Sequence, residues 1–197
     1  MPDAMTRTTL LVTCHPSPTS LCGQIAASVA DTLRPRRGQV IVEDLHGQGF
    51  NPVVSRQELR TYYRDELPAD VAPLAEHLRA AEELVFVLPV WMYHMPALLK
   101  GYFDRVWRPH VSFTIDGDVI RPLLLHVRHL TAIVCHGMDR AVAEAAGDGT
   151  GAFFAQSLPS ILPGLETNTR FDLFALDTAP ADEVRQQIDR IRRHFAA

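Results

Sequence analysis

The chain of 197 residues predicts a three-layer, doubly wound α/β fold on a five-stranded parallel sheet in the order 2-1-3-4-5. Three observations point there. Five short apolar runs rich in Val, Ile and Phe recur along the chain, as strands covered on both faces require. Segments with helical periodicity separate them, so the connections read as right-handed crossovers. No repeat, low-complexity tract or linker divides the chain, and with 47% hydrophobic residues it suits one domain over 1–197.

The first run is "TLLVTC" (9–14). A helix follows in which Leu21, Ile25, Val29 and Leu33 recur every fourth residue, ending near Pro35 and Gly38. "QVIVEDL" (39–45) is the second strand, and "PLAEHLRAAE" (73–82) is a short helix with Pro73 in its first turn. The third strand is "ELVFVLPV" (83–90); "PALLKGYFDRVW" (96–107) then turns Leu99, Phe103, Val106 and Trp107 inward and Lys100 and Asp104 outward. "LTAIVCHG" (130–137) and "RFDLFALD" (170–177) are the last strands. Between them "GDGTG" (147–151) breaks the chain, and "FFAQSLPSILPG" holds a helix ending before Pro163. The C-terminal helix "ADEVRQQIDRIRRHF" buries Val184, Ile188, Ile191 and Phe195, with acids early and bases late to match its dipole. The arrangement is flavodoxin-like. Ligands of such sheets sit beyond the C-terminal strand ends near the switch in winding, which selects the loops after Cys14, Val87 and Val134.

Composition narrows the function. Net charge is −4, from 19 basic and 23 acidic residues, and no run of Lys or Arg points to nucleic acid or an acidic membrane surface. The three cysteines (Cys14, Cys22, Cys135) have no metal-ligand spacing and make no disulfide framework, so reducing cytoplasm is expected. "MPDAMTRTT" has no signal-peptide stretch, no segment is long enough for membrane insertion, and Met5 is an alternative start.

The first loop, "HPSPTS", opens a helix whose first N–H groups lack intrahelical partners and whose dipole favours an anion. Thr19 and Ser20 add hydroxyls and His15 a ring N–H, which makes a phosphate cradle; the same residues also make an ordinary N-cap with two rigidifying prolines. Neither G-x-G-x-x-G nor GK[ST] is present. The second loop, "PVWMYHMP" (89–96), gathers Trp91, Met92, Tyr93 and Met95, a bed for a planar ring system or a cover for the sheet end or a subunit contact. In the third, "VCHGMD" (134–139), Gly137 lets backbone N–H groups approach a ligand, while His136 reads equally as ligand contact, acid/base group or solvent-facing side chain. A metal at His126, His129, Cys135 and His136 is disfavoured, because strand alternation sends these side chains in different directions. Anion donors, a flat apolar bed and close backbone approach together describe a flavin mononucleotide-type ligand.

These residues resemble a known family. "HPSPTSLCGQI", "DLHGQGFNPVVS", "VLPVWMYHMPALLKGYFDRVW" and "VCHG" are similar to the NAD(P)H:quinone oxidoreductases, a group that includes DT-diaphorase, modulators of drug activity and ancillary oxidoreductases of potassium-efflux systems. The likeness covers about residues 8–140, most specifically at "MPALLKGYFDRV". It implies a homodimeric flavoenzyme that takes hydride from NADH or NADPH onto flavin N5 and passes two electrons to a quinone or similar small acceptor. By the family's motifs, His15, Thr19, Ser20, Leu21 and Cys22 hold the flavin phosphate. Pro89, Val90, Trp91, Met92 and Tyr93 line the isoalloxazine, and Cys135, His136 and Gly137 approach its pyrimidine side. FMN is expected, with FAD the alternative.

The chain also departs from that pattern. Cys22 stands where Asn is common, Cys135 and His136 replace Thr and Thr or Tyr, and "MDRAVAEAAGDG" offers no counterpart to DT-diaphorase's Tyr and His, so no catalytic acid is assigned. A nucleotide-sensing regulatory subunit of a transport system is the alternative function, and an electron carrier a third. Against a carrier stand the modest charge and the 108–128 insertion, whose apolar "HVSFTIDGDVI" (110–120) reads as a dimer contact or a plain hairpin.

Overall fold

A computed structural model of the chain describes residues 7–147 and 149–196. Five strands form one parallel sheet: β1 (Thr8–Thr13), β2 (Gln39–Asp44), β3 (Glu83–Pro89), β6 (His129–Cys135) and β7 (Thr167–Leu173). Its order is β2-β1-β3-β6-β7, the predicted 2-1-3-4-5 once the separate hairpin of β4 (Phe113–Asp116) and β5 (Val119–Pro122) is set aside. That hairpin is antiparallel and turns at Asp116–Val119, where Gly117 takes φ +61°. The apolar strand runs are buried because they lie between two layers. Leu10, Val12, Leu84, Phe86, Leu88, Ala132 and Val134 face α3 (Ala72–Ala80) and α4 (Ala97–Val106). Leu11, Val85, Val87, Ile133 and Cys135 face α1 (Leu21–Leu33) and α7 (Ala181–Ala196). Alternate residues of one strand therefore serve different layers.

Several segments differ from the sequence reading. The last strand begins and ends earlier than 170–177: polar Thr167, Asn168 and Thr169 pair with β6, because β7 is a sheet edge that needs no apolar outer face. The helix expected in "FFAQSLPSILPG" is a wide π turn (Phe153–Ser157) followed by a 3₁₀ turn (Pro159–Ile161). Three further helices were not anticipated: α2 (Arg56–Thr61), α5 (Arg140–Ala146) and α6 (Gly149–Ala152). Met5 and the Asp148 position of "GDGTG" lie outside the described residues. Among those described, no helix is long and apolar enough to cross a membrane.

Two close approaches fix the layers around the functional edge. A Cβ on Gly101 of α4 would meet the Pro52 carbonyl oxygen at 2.4 Å, so only glycine lets "FNP" lie on this helix. At the opposite rim, buried Glu83 accepts from Thr9 Oγ1 at 2.6 Å and Arg37 Nε at 2.7 Å, with Arg7 at 3.7 Å. Burial alone would push this carboxyl up, but Arg37, Thr9 and Arg7 outweigh it and hold it below the usual range. A depressed folded-state pKa stabilises the fold above the ordinary carboxylate value, about 4.3, and that contribution is lost as pH falls through the depressed value. Arg37→Ala is therefore expected to move the onset of acid unfolding to higher pH, read by circular dichroism across a pH series. An unmoved onset would show that Arg37 does not hold Glu83 ionised.

Candidate functional site

The chain leaves β1 at Thr13 and makes a turn held by its own side chains. His15 Nδ1 lies against the Ser17 backbone, 3.0 Å from its nitrogen and 3.1 Å from its carbonyl oxygen. Ser20 caps α1: its Oγ accepts from Gly23 N–H at 3.1 Å and donates to the Ser17 carbonyl at 2.7 Å. With that acceptor taken by the third helical residue, the N–H groups of Leu21 and Cys22, the first two, have no place in the intrahelical ladder. Ser17 and Thr19 hydroxyls lie 3.0 Å apart beside them.

After β3, Trp91 and His94 close a two-residue hairpin: Trp91 N–H donates to the His94 carbonyl at 2.9 Å and His94 N–H returns the bond at 3.1 Å. The two residues at its tip, Met92 (φ 48°) and Tyr93 (φ 62°), are both left-handed without being glycine. Each such residue stores about 1–3 kcal/mol, a strain that concentrates at functional sites. The hairpin turns the Trp91 ring towards His15, with centroids 5.9 Å apart at an interplanar angle of 62°.

The third turn follows β6, anchored by Val90 N–H donating to the Cys135 carbonyl at 2.9 Å and His136 N–H donating to the Leu173 carbonyl at 2.8 Å. A fourth segment closes against it. Ala175 (φ 56°) donates its N–H to the Met138 carbonyl at 2.7 Å, and Leu176 donates to the His136 carbonyl at 3.1 Å. A Cβ on Gly137 would sit 2.1 Å from Asp177 Oδ2, so the glycine lets the Asp177 carboxylate lie directly against this turn.

Together the turns enclose a cleft of about 240 Å³. Nine of the expected residues line it: His15, Ser20, Leu21, Cys22, Pro89, Val90, Trp91, Cys135 and Gly137. Thr19 is exposed beside the cleft, Tyr93 is half-exposed at the hairpin tip, and Met92 is 88% exposed. His136 turns away. Buried at the end of β6, it donates from Nε2 to Asp172 at 2.9 Å and stacks on Phe174 at 4.5 Å. Burial would raise the Asp172 carboxyl, but the His136 hydrogen bond and the Arg170 guanidinium outweigh it, leaving it below its usual range. Leu176 and Asp177 complete the lining and were missed, because the sequence reading placed them inside the last strand. The chain leaves that strand at Leu173, and the left-handed Ala175 brings it back over Gly137. A second cavity, of about 250 Å³, lies near Glu43 and His77 and is bordered by Pro73 and Leu74 in the first turn of α3. No group of three or more His, Cys, Asp or Glu is placed to hold a metal ion among the described residues.

The lining fits a phosphorylated planar ligand. Unpaired N–H donors and hydroxyls stand at one end, a bare glycine backbone at the other, and Pro89, Val90 and Trp91 supply an apolar edge between them.

Comparison with known proteins gives the same frame. A family model described as the flavodoxin-like fold matches residues 7–194. YcaK, an uncharacterised NAD(P)H oxidoreductase of Escherichia coli, is 35% identical over 109 residues, which are 52% of this chain and 54% of YcaK. The quinone NAD(P)H dehydrogenase 1 of Rattus norvegicus is 26% identical over 125 residues, 55% of this chain and 46% of the rat protein. The chain thus spans about half the length of the curated relatives it matches. Among solved structures, Smu.1420 from Streptococcus mutans superposes with a TM-score of 0.83 at 22% identity, covering 96% of this chain and 98% of that one. By sequence over nearly its whole length, and by strand order, the chain belongs to the flavodoxin-like fold family.

Proposed function

We propose that this chain is a flavin-dependent NAD(P)H oxidoreductase that delivers electrons to a quinone or similar small acceptor. One observation carries the reading: three turns from different strands converge on a cleft with anion donors at one end and a bare glycine backbone at the other. The names of YcaK and the rat relative, an NAD(P)H oxidoreductase and a quinone dehydrogenase, support it.

Bound there, the flavin supplies hydride acceptance from the nicotinamide at N5 and return of two electrons to the acceptor. The chain's own part is to bind and orient. Leu21 and Cys22 N–H groups, with the hydroxyls of Ser17 and Thr19, offset the phosphate charge at the α1 dipole, while Ser20 caps the helix and holds the turn in place. Trp91 shields the apolar edge from water, and the Cys135–Gly137 backbone takes the polar edge of the ring. The cleft presents a single helix N-terminus, which suits the one phosphate of FMN better than the pyrophosphate of FAD. A homodimer through the hairpin face that carries the cross-strand pair Ile115 and Ile120, and a cytoplasmic setting for three free, buried cysteines, complete the proposal. Size-exclusion mass tests the dimer.

The purified protein is expected to be yellow, or to become so with FMN, and its visible absorbance to bleach anaerobically under NADH or NADPH. Colourless protein that ignores both FMN and FAD would overturn the assignment. Trp91→Ala removes a side chain that is 46% exposed and packs on no core layer, so the melting temperature is expected to hold while FMN affinity falls about tenfold. Unchanged FMN affinity would show that the indole does not cover the ligand.

A further inference from the structure

The proposed chemistry uses no thiol, yet two of the three cysteines line its cleft. Cys22 is the second residue of α1 and 4% exposed; Cys135 ends β6 and is 6% exposed. Both belong to the layer between the sheet and α1, and both line the same cleft. Cys14 packs into the opposite layer, on the far face of the sheet, and does not line the cleft. Both positions are among those where the sequence departs from the quinone-reductase pattern, Cys for Asn and Cys for Thr. Their juxtaposition makes the two departures a single feature.

We propose that Cys22 and Cys135 form a redox-active pair that closes to a disulfide under a hydroperoxide and shuts the cleft against phosphorylated ligands. The consequence for ligands, though not the thiol chemistry, rests on the function proposed above. Cys22 reacts first, since it faces the cleft at the positive end of the α1 dipole. The neighbouring Cys22 thiol, together with burial, pushes the Cys135 thiol up and keeps it protonated. The Cys22 sulfur attacks the terminal peroxide oxygen: an S–O bond forms, the O–O bond breaks and an alcohol leaves. The Cys135 sulfur then attacks the sulfenic acid, the S–S bond forms, the S–O bond breaks, and the hydroxyl leaves as water with the Cys135 proton. Two thiols and one hydroperoxide thus give one disulfide, one alcohol and one water, with two electrons passing from the sulfurs to the peroxide.

Closure brings the two sulfurs to about 2.05 Å. It pulls the first turn of α1, with the Leu21 and Cys22 N–H donors, towards the end of β6 and narrows the gap to Gly137.

The test treats the purified protein with cumene hydroperoxide, blocks free thiols, and maps disulfide-linked peptides by mass spectrometry. A Cys22–Cys135 cross-link that forms in the wild type and in Cys14→Ser, is absent from Cys22→Ser and Cys135→Ser, and reverts with dithiothreitol is expected. The oxidised protein is expected to bind FMN at least tenfold more weakly than the reduced protein, with affinity restored by dithiothreitol. Three free thiols after peroxide, a cross-link through Cys14, or equal FMN affinity in the two states would each overturn the proposal. Peptide mapping of the wild type decides the pairing even if a serine variant fails to fold. Should the protein bind no flavin in any state, the flavin reading fails and the mapping still judges the thiol pair.

Discussion

Glu58→Ala is expected to bring the fold close to unfolding, with a loss of about 3–5 kcal/mol, as for a buried ion pair that loses one partner. Glu58 is 5% exposed in α2 and serves two buried guanidinium groups. Arg105 Nε donates to its Oε2 at 3.0 Å, and Arg108 Nη1 lies 3.7 Å from its Oε1. Arg105 has other partners, the Asn51 carbonyl at 2.7 Å and Asp70 at 2.7 Å. Arg108 is less well placed. It is fully buried, donates to the Thr61 carbonyl at 3.0 Å and lies over the Tyr62 ring at 4.8 Å, with Glu58 as its only carboxylate among the described residues. Removing Glu58 leaves that cation in a dry site with no counter-charge. Against a domain stability of about 5–15 kcal/mol this is a large fraction. The measurement is urea unfolding, where the midpoint should fall while the slope is unchanged. Asp31→Ala, which removes an exposed pair with Arg34, should cost at most about 1 kcal/mol. Equal losses from the two variants would show that the buried cluster is not held by Glu58.

The same cluster shows why part of the fold was illegible. The parallel strands announce themselves because burial on both faces demands continuous apolar runs, and Glu83–Pro89 is buried throughout. Helix α2 makes no such announcement: its one buried residue is Glu58, so its inward face carries charge where an apolar stripe would be sought. A capping signal was available in "SRQE", since Ser55 Oγ accepts from Glu58 N–H at 3.0 Å. The Phe153–Phe154 pair reads as helical, but packing Phe154 against Phe86 and Phe103 favours a wide turn that no residue spacing encodes. At the site, residue chemistry located the three turns, while side-chain direction was beyond it. The period-two alternation that sends Cys135 to the α1 layer sends His136 the other way, to Asp172. Asp177 enters the cleft only because Ala175 adopts a left-handed backbone, which alanine does not advertise.

Gly23→Ala is expected to abolish useful flavin retention, weakening FMN binding about a hundredfold. Helix propensity alone points the other way, since alanine in a helix interior is better than glycine by about 0.5–1 kcal/mol. Space decides against it. A Cβ at Gly23 would lie 2.4 Å from the Pro18 carbonyl oxygen, 2.8 Å from its carbon and 2.9 Å from its Cα, all backbone atoms that cannot rotate aside. Relief requires the His15–Ser20 turn to lift off α1. Overpacking of this kind costs about 1–3 kcal/mol. Lifting the turn also breaks the Ser20 cap, worth about 1 kcal/mol, because Ser20 Oγ bridges Gly23 N–H and the Ser17 carbonyl. The displaced hydroxyls and N–H groups are the proposed phosphate donors, and each charge-assisted bond lost removes about 1.5–3 kcal/mol of binding. Two such losses exceed the roughly 2.7 kcal/mol that a hundredfold change represents. FMN titration by fluorescence, beside a thermal melt, separates the effects: Ser20→Ala should lose the cap but keep the turn seated, with a milder loss of binding. An alanine variant at position 23 that holds FMN as tightly as the wild type would mean that the Pro18 turn does not cradle the phosphate.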